Sequence, residues 1–307
     1  MAGSFALTMR RESTITAGIK DNAAAAAAAE AGIAYAEMML LSTDQNKRWR
    51  ADGNIYQVDF GDTQVRLRLI SEAGKININK ANLALLQSLM AQSPVDEDRQ
   101  PKIIGAIMDW RDPDDLLNID GAEKREYRKA GLKYQPRNKP FQTMEELQMV
   151  LGMDDRLYNW LEPVITVYSS QAQVNLKQAT TKVLNLLPGL DAGLIETYVA
   201  SRLESAKTEQ PAPEFPSTLL KSGGSVAGGN ETVTIISEAR MQDETSAVIS
   251  AIVAKSGGNQ VFAADASQTS AFKILKWRRN PAHQEPLFSD EMSELLVKEY
   301  AEPELID

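Results

Sequence analysis

The stretch from Ser13 to Leu41 restricts what this chain can fold into more than any other. It reads Ser-Thr-Ile-Thr-Ala-Gly-Ile-Lys-Asp-Asn, then seven alanines from Ala23 to Ala29, then Glu-Ala-Gly-Ile-Ala-Tyr-Ala-Glu-Met-Met-Leu-Leu. Alanine has the highest intrinsic helix propensity, and the chain has no proline before Pro94. The composition predicts about thirty residues of unbroken helix, roughly 43 Å long. Its ends differ in kind. Ile33, Tyr35, Met38, Met39, Leu40 and Leu41 are bulky enough to lie on a core, whereas the alanine tract has almost nothing large to bury. Two readings stay open: a plain helix over a sheet, or a smooth rod that packs closely against another molecule. The N-terminal position favours the second, with Ala23, Ala26, Ala29 and Ile33 as the expected partner-binding residues.

Little around that helix suggests targeting or catalysis. There is no basic start followed by an apolar run and a small-residue cleavage site, so no signal peptide is read. No run approaches the roughly twenty apolar residues of a membrane helix. Met1-Ala2-Gly3 ahead of Ser-Phe-Ala-Leu-Thr-Met-Arg-Arg-Glu reads as an added start joined to the middle of a longer segment. With 307 residues the chain has ample length for a real core, in one large or two modest domains. A formal net charge of −9 and a pI near 4.9 argue against a general nucleic-acid surface. Zero cysteines exclude disulfides and thiolate metal sites, and the one histidine, His283, stands beside Pro281 in a polar tail. No Gly-rich phosphate loop, nucleophile elbow or His-Glu helix motif occurs, so an enzyme is not expected.

After the helix, Asp52-Gly53-Asn54 and Gly61-Asp62-Thr63 bracket a hairpin. Tyr56, Val58 and Phe60 alternate in its first strand, and Val65, Leu67 and Leu69 alternate with Arg66 and Arg68 in its second. From Lys75 to about Arg202 helical spacing replaces period two. Two segments there match: Ile76-Asn77-Ile78-Asn79-Lys80-Ala81 leads into Leu85, Leu86 and Leu89, and Val174-Asn175-Leu176-Lys177-Gln178-Ala179 leads into Val183, Leu184 and Leu187. Asn79 is the expected cap of the first helix, and Asn175 or a neighbour that of the second. Leu187-Pro188-Gly189-Leu190-Asp191 then turns into a further helix, a helix-hairpin-helix pattern. Met144 to Leu161 repeats it more weakly. Glu204 to Gly229 is rich in Pro, Gly and Ser and reads as a loop. Strand patterns return at Glu231–Arg240, Thr245–Ala254 and Phe272–Arg278, so one sheet interrupted by a helical insertion is expected. Met292 to Tyr300 reads as an amphipathic helix in an acidic tail.

Between the matched segments lies an acidic loop, Asp109-Trp110-Arg111-Asp112-Pro113-Asp114-Asp115-Leu116-Leu117-Asn118-Ile119-Asp120-Gly121-Ala122-Glu123. Oxygen side chains at Asp112, Asp114, Asn118, Asp120 and Glu123 fall with a spacing like that of an EF-hand loop. Leu117, however, stands where such a loop needs its glycine. A looser calcium site is one reading, because hard cations want several converging oxygens. A solvated acidic loop partly neutralised by Lys124 and Arg125 is the other.

The order of parts resembles the minor pseudopilin K family of bacterial type II secretion (general secretion pathway protein K). The residues that carry the likeness are Ser71-Glu72-Ala73-Gly74-Lys75-Ile76-Asn77-Ile78-Asn79, Asp109-Trp110-Arg111-Asp112-Pro113-Asp114, Gly121-Ala122-Glu123, Tyr134-Gln135-Pro136-Arg137-Asn138-Lys139-Pro140-Phe141, Val174-Asn175-Leu176, Leu187-Pro188-Gly189-Leu190-Asp191 and Phe272-Lys273-Ile274-Leu275-Lys276-Trp277-Arg278. The resemblance implies an α+β fold: a pilin-like long N-terminal helix on an antiparallel sheet, with a large all-helical, helix-hairpin-helix-like domain inserted between strands. The implied divisions are 1–78 for the helix and first strands, 79–222 for the insertion, 223–281 for the remaining strands and 282–307 for the acidic tail. It also implies a non-enzymatic subunit at the tip of the secretion pseudopilus, assembled with the minor pseudopilins I and J and possibly H, with a secreted substrate as a further contact. A membrane anchor upstream would place this region in the periplasm, on the inner membrane. Calcium is the implied cofactor. The alternative, a helix-hairpin-helix nucleic-acid-binding protein, meets Asp191 after the Pro-Gly-Leu turn and Asp154-Asp155 after Gly152-Met153, where carboxylates would repel phosphate.

Overall fold

The computed structural model describes residues 2–216, 231–256, 271–301 and 303. In chain order the elements are α1 (Ala2–Leu41), β1 (Asp52–Phe60), β2 (Thr63–Ser71), β3 (Ile76–Asn77), α2 (Leu83–Ala91), α3 (Gln100–Arg111), α4 (Lys124–Lys129), α5 (Asp155–Leu161), β4 (Ile165–Thr166), α6 (Thr181–Leu186), α7 (Ala192–Lys207), β5 (Thr232–Arg240), β6 (Ser246–Lys255), β7 (Phe272–Arg279), α8 (Asp290–Ser293) and β8 (Leu296–Tyr300). Of the loop expected over Glu204 to Gly229, the part from 217 onward lies outside the described residues.

Two compact units result. The first holds α1 and a six-stranded sheet of order β7-β6-β5-β2-β1-β8. Every pairing in it is antiparallel except β1 with β8. β2 pairs with β5 from Gln64–Arg240 to Ser71–Val233, although the whole of the second unit's main segment separates them in sequence. The period-two pattern decides the faces. Val65, Leu67 and Leu69 share one apolar face with Val58, Val233, Ile235, Ile249, Ala251 and Val253, and α1 lies on it. From α1 the buried residues Ala25, Ala29, Ile33, Ala36 and Leu40 recur at helical spacing toward that face. Gly32 allows the closest approach: a Cβ there would sit 2.5 Å from Ser237 Oγ and 2.8 Å from Val65 Cγ1.

The opposite face of the sheet is also covered. Ile55, Ile70 and Ile236 pack against Leu287 and Met292. Arg66 donates to Leu287 O (2.9 Å) and Ser293 Oγ (2.8 Å), and both the Arg66 and Arg240 guanidinium groups lie over the Phe288 ring, 4.6 and 4.1 Å from its centroid. The segment from Leu287 to Tyr300 is therefore not a solvated tail. The amphipathic helix expected over Met292 to Tyr300 is replaced by a single helical turn, capped by Ser289 onto Met292 N, and by β8, whose Leu296 to Tyr300 pair in parallel with β1. An unfilled edge on β1 and the strand-forming Val297 and Tyr300 outweigh a short helical pattern. Tyr300 also accepts a hydrogen bond from Trp49 Nε1 (3.2 Å), and Trp49 stacks on Tyr56 with ring centroids 4.2 Å apart.

The second unit is built around Trp110, Tyr127, Leu86, Leu89, Ile103, Ile107 and Leu157, all fully buried. Its two matched entries have the same hydrogen-bond wiring. Asn77 Oδ1 accepts from Asn79 N (2.9 Å) and Asn175 Oδ1 from Lys177 N (3.1 Å). The main-chain carbonyl of each also accepts from the residue four ahead, Ala81 or Ala179. The caps follow five residues after each asparagine: Asn82 Oδ1 on Leu85 N and Thr180 Oγ1 on Val183 N. Asn79 is not the cap. Its amide instead clasps the main chain of Phe141, donating to the carbonyl and accepting from the N–H. Nor is the block free of strands, because β3 and β4 form a two-residue parallel pair, Ile76 with Ile165 and Asn77 with Thr166. Such short extended pieces carry no alternation to read.

Candidate functional site

Two features hold the candidate residues: the solvent side of α1 and the acidic loop after α3. On α1 the candidates divide. Ala29 and Ile33 are buried against the helix's own sheet, so they are removed from the partner-binding set. Ala26 is half-buried and Ala23 is exposed. The exposed line is Lys20, Ala24, Ala27, Ala31 and Ala34, spaced four and three residues apart on one face. From Ala24 onward it is a strip of small side chains, and composition does not show which alanine face is covered, because both faces are alanine. The span Ile15–Leu41 is long and apolar enough by length and composition to cross a membrane. The expectation that no run approaches the length of a membrane helix is not met by this span. One face of its second half is buried on the sheet.

In the acidic loop, α3 ends at Arg111, and Asp112 follows in extended conformation as its C-cap. Asp109, in the last turn, is fully buried. Its Oδ1 accepts from Asn118 N (3.1 Å) and from the Asn118 amide, which also donates to Asp112 Oδ2 (3.1 Å). Glu123, also buried, is the N-cap of α4 and forms a capping box with Glu126. Asp109 Oδ2, Asp112 Oδ1 and Glu123 Oε1 are buried without a hydrogen-bond partner among the described residues. Burial, then Asp109, Asp112 and Asp115, push the Glu123 carboxyl up to about 7. Burial, then Asp114 and Asp109, raise that of Asp112. The C-terminus of α3 adds a further negative field, since its free carbonyls carry the negative end of the helix dipole. Arg111 offsets it only in part: its guanidinium donates to the carbonyls of Ile78 and Ala81 and still attracts Asp112.

The structure thus brings Asp112, Asn118 and Glu123 together and adds Asp109, which the loop spacing missed. An i, i+3 carboxylate pair across a helix end, Asp109 with Asp112, is the signal that would have found it. Asp114 lies on the rim, its Oδ1 accepting from Leu116 N (2.9 Å), and Asn138 ties its carbonyl and Asp115 Oδ1 to the loop. Asp120 is exposed, with left-handed backbone (φ 56°). Among the described residues no three acidic or histidine side chains are arranged to hold a metal ion as they stand.

Residues 64–170 match the family model described as Type II secretion system (T2SS), protein K. A Type II secretion system protein K of Pseudomonas aeruginosa PAO1 is 24% identical over 236 residues, covering 72% of this chain and 70% of that protein. This chain is similar to type II secretion system protein K. A second such protein K, from Klebsiella pneumoniae, is 29% identical over 110 residues, 36% of this chain and 34% of its own length. The matched family region contains β2, the first Asn entry, the acidic loop and α5. The fold is similar to that of a crystal structure described as the GspK-GspI-GspJ complex from the enterotoxigenic Escherichia coli Type 2 Secretion System. That match has a TM-score of 0.52 at 17% identity, over 90% of this chain and all of that one. Mixed α+β architecture with a long N-terminal helix on a mainly antiparallel sheet is what the two share.

Proposed function

We propose that this chain is a non-enzymatic minor pseudopilin of type II secretion, a structural subunit that assembles with I- and J-type minor pseudopilins and lies on the periplasmic side of an inner-membrane anchor. The observation that carries the reading is α1: one face seals the subunit's own sheet and the other presents Ala24, Ala27, Ala31 and Ala34 to solvent. Small side chains let a neighbouring helix approach closely and make dispersion contacts along its length. The helical unit is read as a domain inserted between β2 and β5, which the direct pairing of those strands supports. Co-expression with I- and J-type partners followed by size-exclusion chromatography tests the assignment. A ternary complex is expected; a chain that always elutes alone would count against it.

Calcium at the acidic loop belongs to the same reading. Asp109, Asp112 and Glu123, with Asn118 and rim carboxylates such as Asp114 and Asp120, supply the hard oxygen donors a calcium ion takes. Three buried carboxylate oxygens without partners support it. Rotating the Asn118 amide by half a turn would present its oxygen in place of its nitrogen. The bound ion would supply counter-charge and tie the loop to the end of α3. It has no catalytic part.

A further inference from the structure

An acidic chain keeps one concentrated basic strip. The ten residues from Lys124 to Lys133 hold five cations and a single carboxylate, Glu126, in a chain of net charge −9. Lys124, Arg125, Arg128 and Lys129 share one face of α4, and all four are exposed, while Tyr127 beneath them is fully buried. Lys133, also exposed, follows the left-handed Gly131 beyond the helix end. Glu126 is already committed: one oxygen accepts from Arg125 Nε (2.9 Å) and stands 3.9 Å from Lys129 Nζ, and the other accepts from Glu123 N (3.3 Å). Lys124, Arg128 and Lys133 have no ion pair among the described residues.

The strip is held against its own electrostatics. Lys124 with Arg128 and Arg125 with Lys129 are like-charged i, i+4 pairs, and Lys124 and Arg125 stand in the first turn, where the helix dipole favours acids. The inner side of α4 is what fixes it. The Tyr127 hydroxyl accepts from Leu151 N (2.9 Å), and its ring lies 6.2 Å from that of Trp110 and 5.6 Å from that of Tyr134. An external anion would therefore meet a preorganised face and relieve repulsion that the fold leaves uncompensated. The neighbouring charges limit how wide that anion can be. Asp114, Asp115 and Asp120 are exposed on the loop that leads into α4, and Asp115 is near enough to raise the Glu123 carboxyl, one residue before the helix. A flat anionic bilayer would press on these carboxylates as well as on the cations, whereas a narrow ligand meets the cations alone. Nor does α4 offer a ring for nucleobases to stack on, because Tyr127 is buried.

We infer that the exposed face of α4, with Lys133 beyond its end, is a docking strip for a short acidic peptide segment of a partner protein, one carrying closely spaced Asp and Glu side chains. Charge complementarity supplies the attraction, and the exposed carboxylates beside the strip keep the bound segment in register along the helix. This inference does not depend on the secretion assignment.

Fluorescence anisotropy tests it, using the full chain at low ionic strength with calcium held constant. The probe is a labelled peptide of alternating Asp and Glu, and the neutral control is the same peptide with Asn and Gln. The unaltered chain is expected to bind the acidic peptide only, and to lose it in high salt. Lys124→Gln with Arg128→Gln removes two cations that have no ion pair to lose, and should weaken binding about three- to tenfold. Lys102→Gln with Lys182→Gln changes the net charge equally at two exposed positions outside the strip, and should leave binding as it was. Should the first pair lower the melting temperature, Lys133→Gln replaces it, with about a twofold loss expected. Vesicles of phosphatidylglycerol with phosphatidylethanolamine, and oligothymidylate, serve as competitors. Equal binding of the neutral peptide overturns the inference, as does an unchanged affinity in the α4 pair or an equal loss in the control pair. Displacement by vesicles or oligothymidylate as readily as by unlabelled acidic peptide overturns the choice of occupant.

Discussion

At Gly32 a single hydrogen decides how closely α1 meets the sheet. Gly32→Ala gains helix propensity of about 1 kcal/mol. Against that, its Cβ would fall 2.8 Å from the branched Val65 side chain, as well as 2.5 Å from Ser237 Oγ. Overpacking costs about 1–3 kcal/mol, so the net change is a loss of stability. Thermal melts check this, and a stabilised variant would contradict the close approach. Asp109→Asn tests the acidic loop. It removes one of the mutually repelling charges, so without calcium it should melt no lower than the parent. It should also forfeit the calcium-dependent rise, about 2.7 kcal/mol at a hundredfold excess over Kd. Parent melts that superimpose with calcium and with chelator would refute the site. At Glu238 the test is pH. Burial raises its carboxyl, against the Leu287 N–H bond and the Arg240 and Arg66 charges. The folded state holds that proton more tightly than the unfolded chain. The contribution is fully present below the ordinary value of 4.5 and is lost as pH rises through the folded value. Glu238→Gln should flatten that limb of the melting-temperature profile; an unchanged profile would remove Glu238 as its source.

At the scale of elements, the C-terminal segment shows where reading from sequence stopped. The strands were legible because Val65, Leu67 and Leu69 alternate with Arg66 and Arg68. The same arginines read as a solvent face, yet Arg66 and Arg68 are largely covered on the far side of the sheet by residues after Pro281. Nothing local distinguishes an arginine that meets water from one that meets a carbonyl and a phenyl ring. The helical unit was legible through its repeated asparagine entries, though not through its caps, because Asn79 found a partner 62 residues away in Phe141. In the acidic loop the spacing picked out Asp112, Asn118 and Glu123 as candidates and passed over Asp109, whose position beside them depends on where α3 ends. If the C-terminal segment is part of the core, Leu287→Ala should cost about 2–5 kcal/mol, as for a fully buried leucine. A melt within about 0.5 kcal/mol of the parent would mean it behaves as a surface residue.

Across the whole molecule, one helix seals its own sheet on one side and on the other presents the face proposed for neighbouring helices. The long alanine run was legible at once, and so was its suitability for close packing. Which alanines were free was not, since the covered and open faces differ by a rotation and not by composition. Burial takes Ala29 and Ile33 out of reach, and the proposed contact falls on the exposed Ala24, Ala27, Ala31 and Ala34. The most direct test measures complex formation and melting temperature on the same variants, using I- and J-type partners. Ala24→Leu with Ala31→Leu should leave the melting temperature of the isolated chain unchanged and abolish co-elution with the partners, whereas Ala29→Leu should lower the melting temperature. Full co-elution of the Ala24→Leu, Ala31→Leu variant would contradict the account, because the open face of α1 would then make no contact in the assembly.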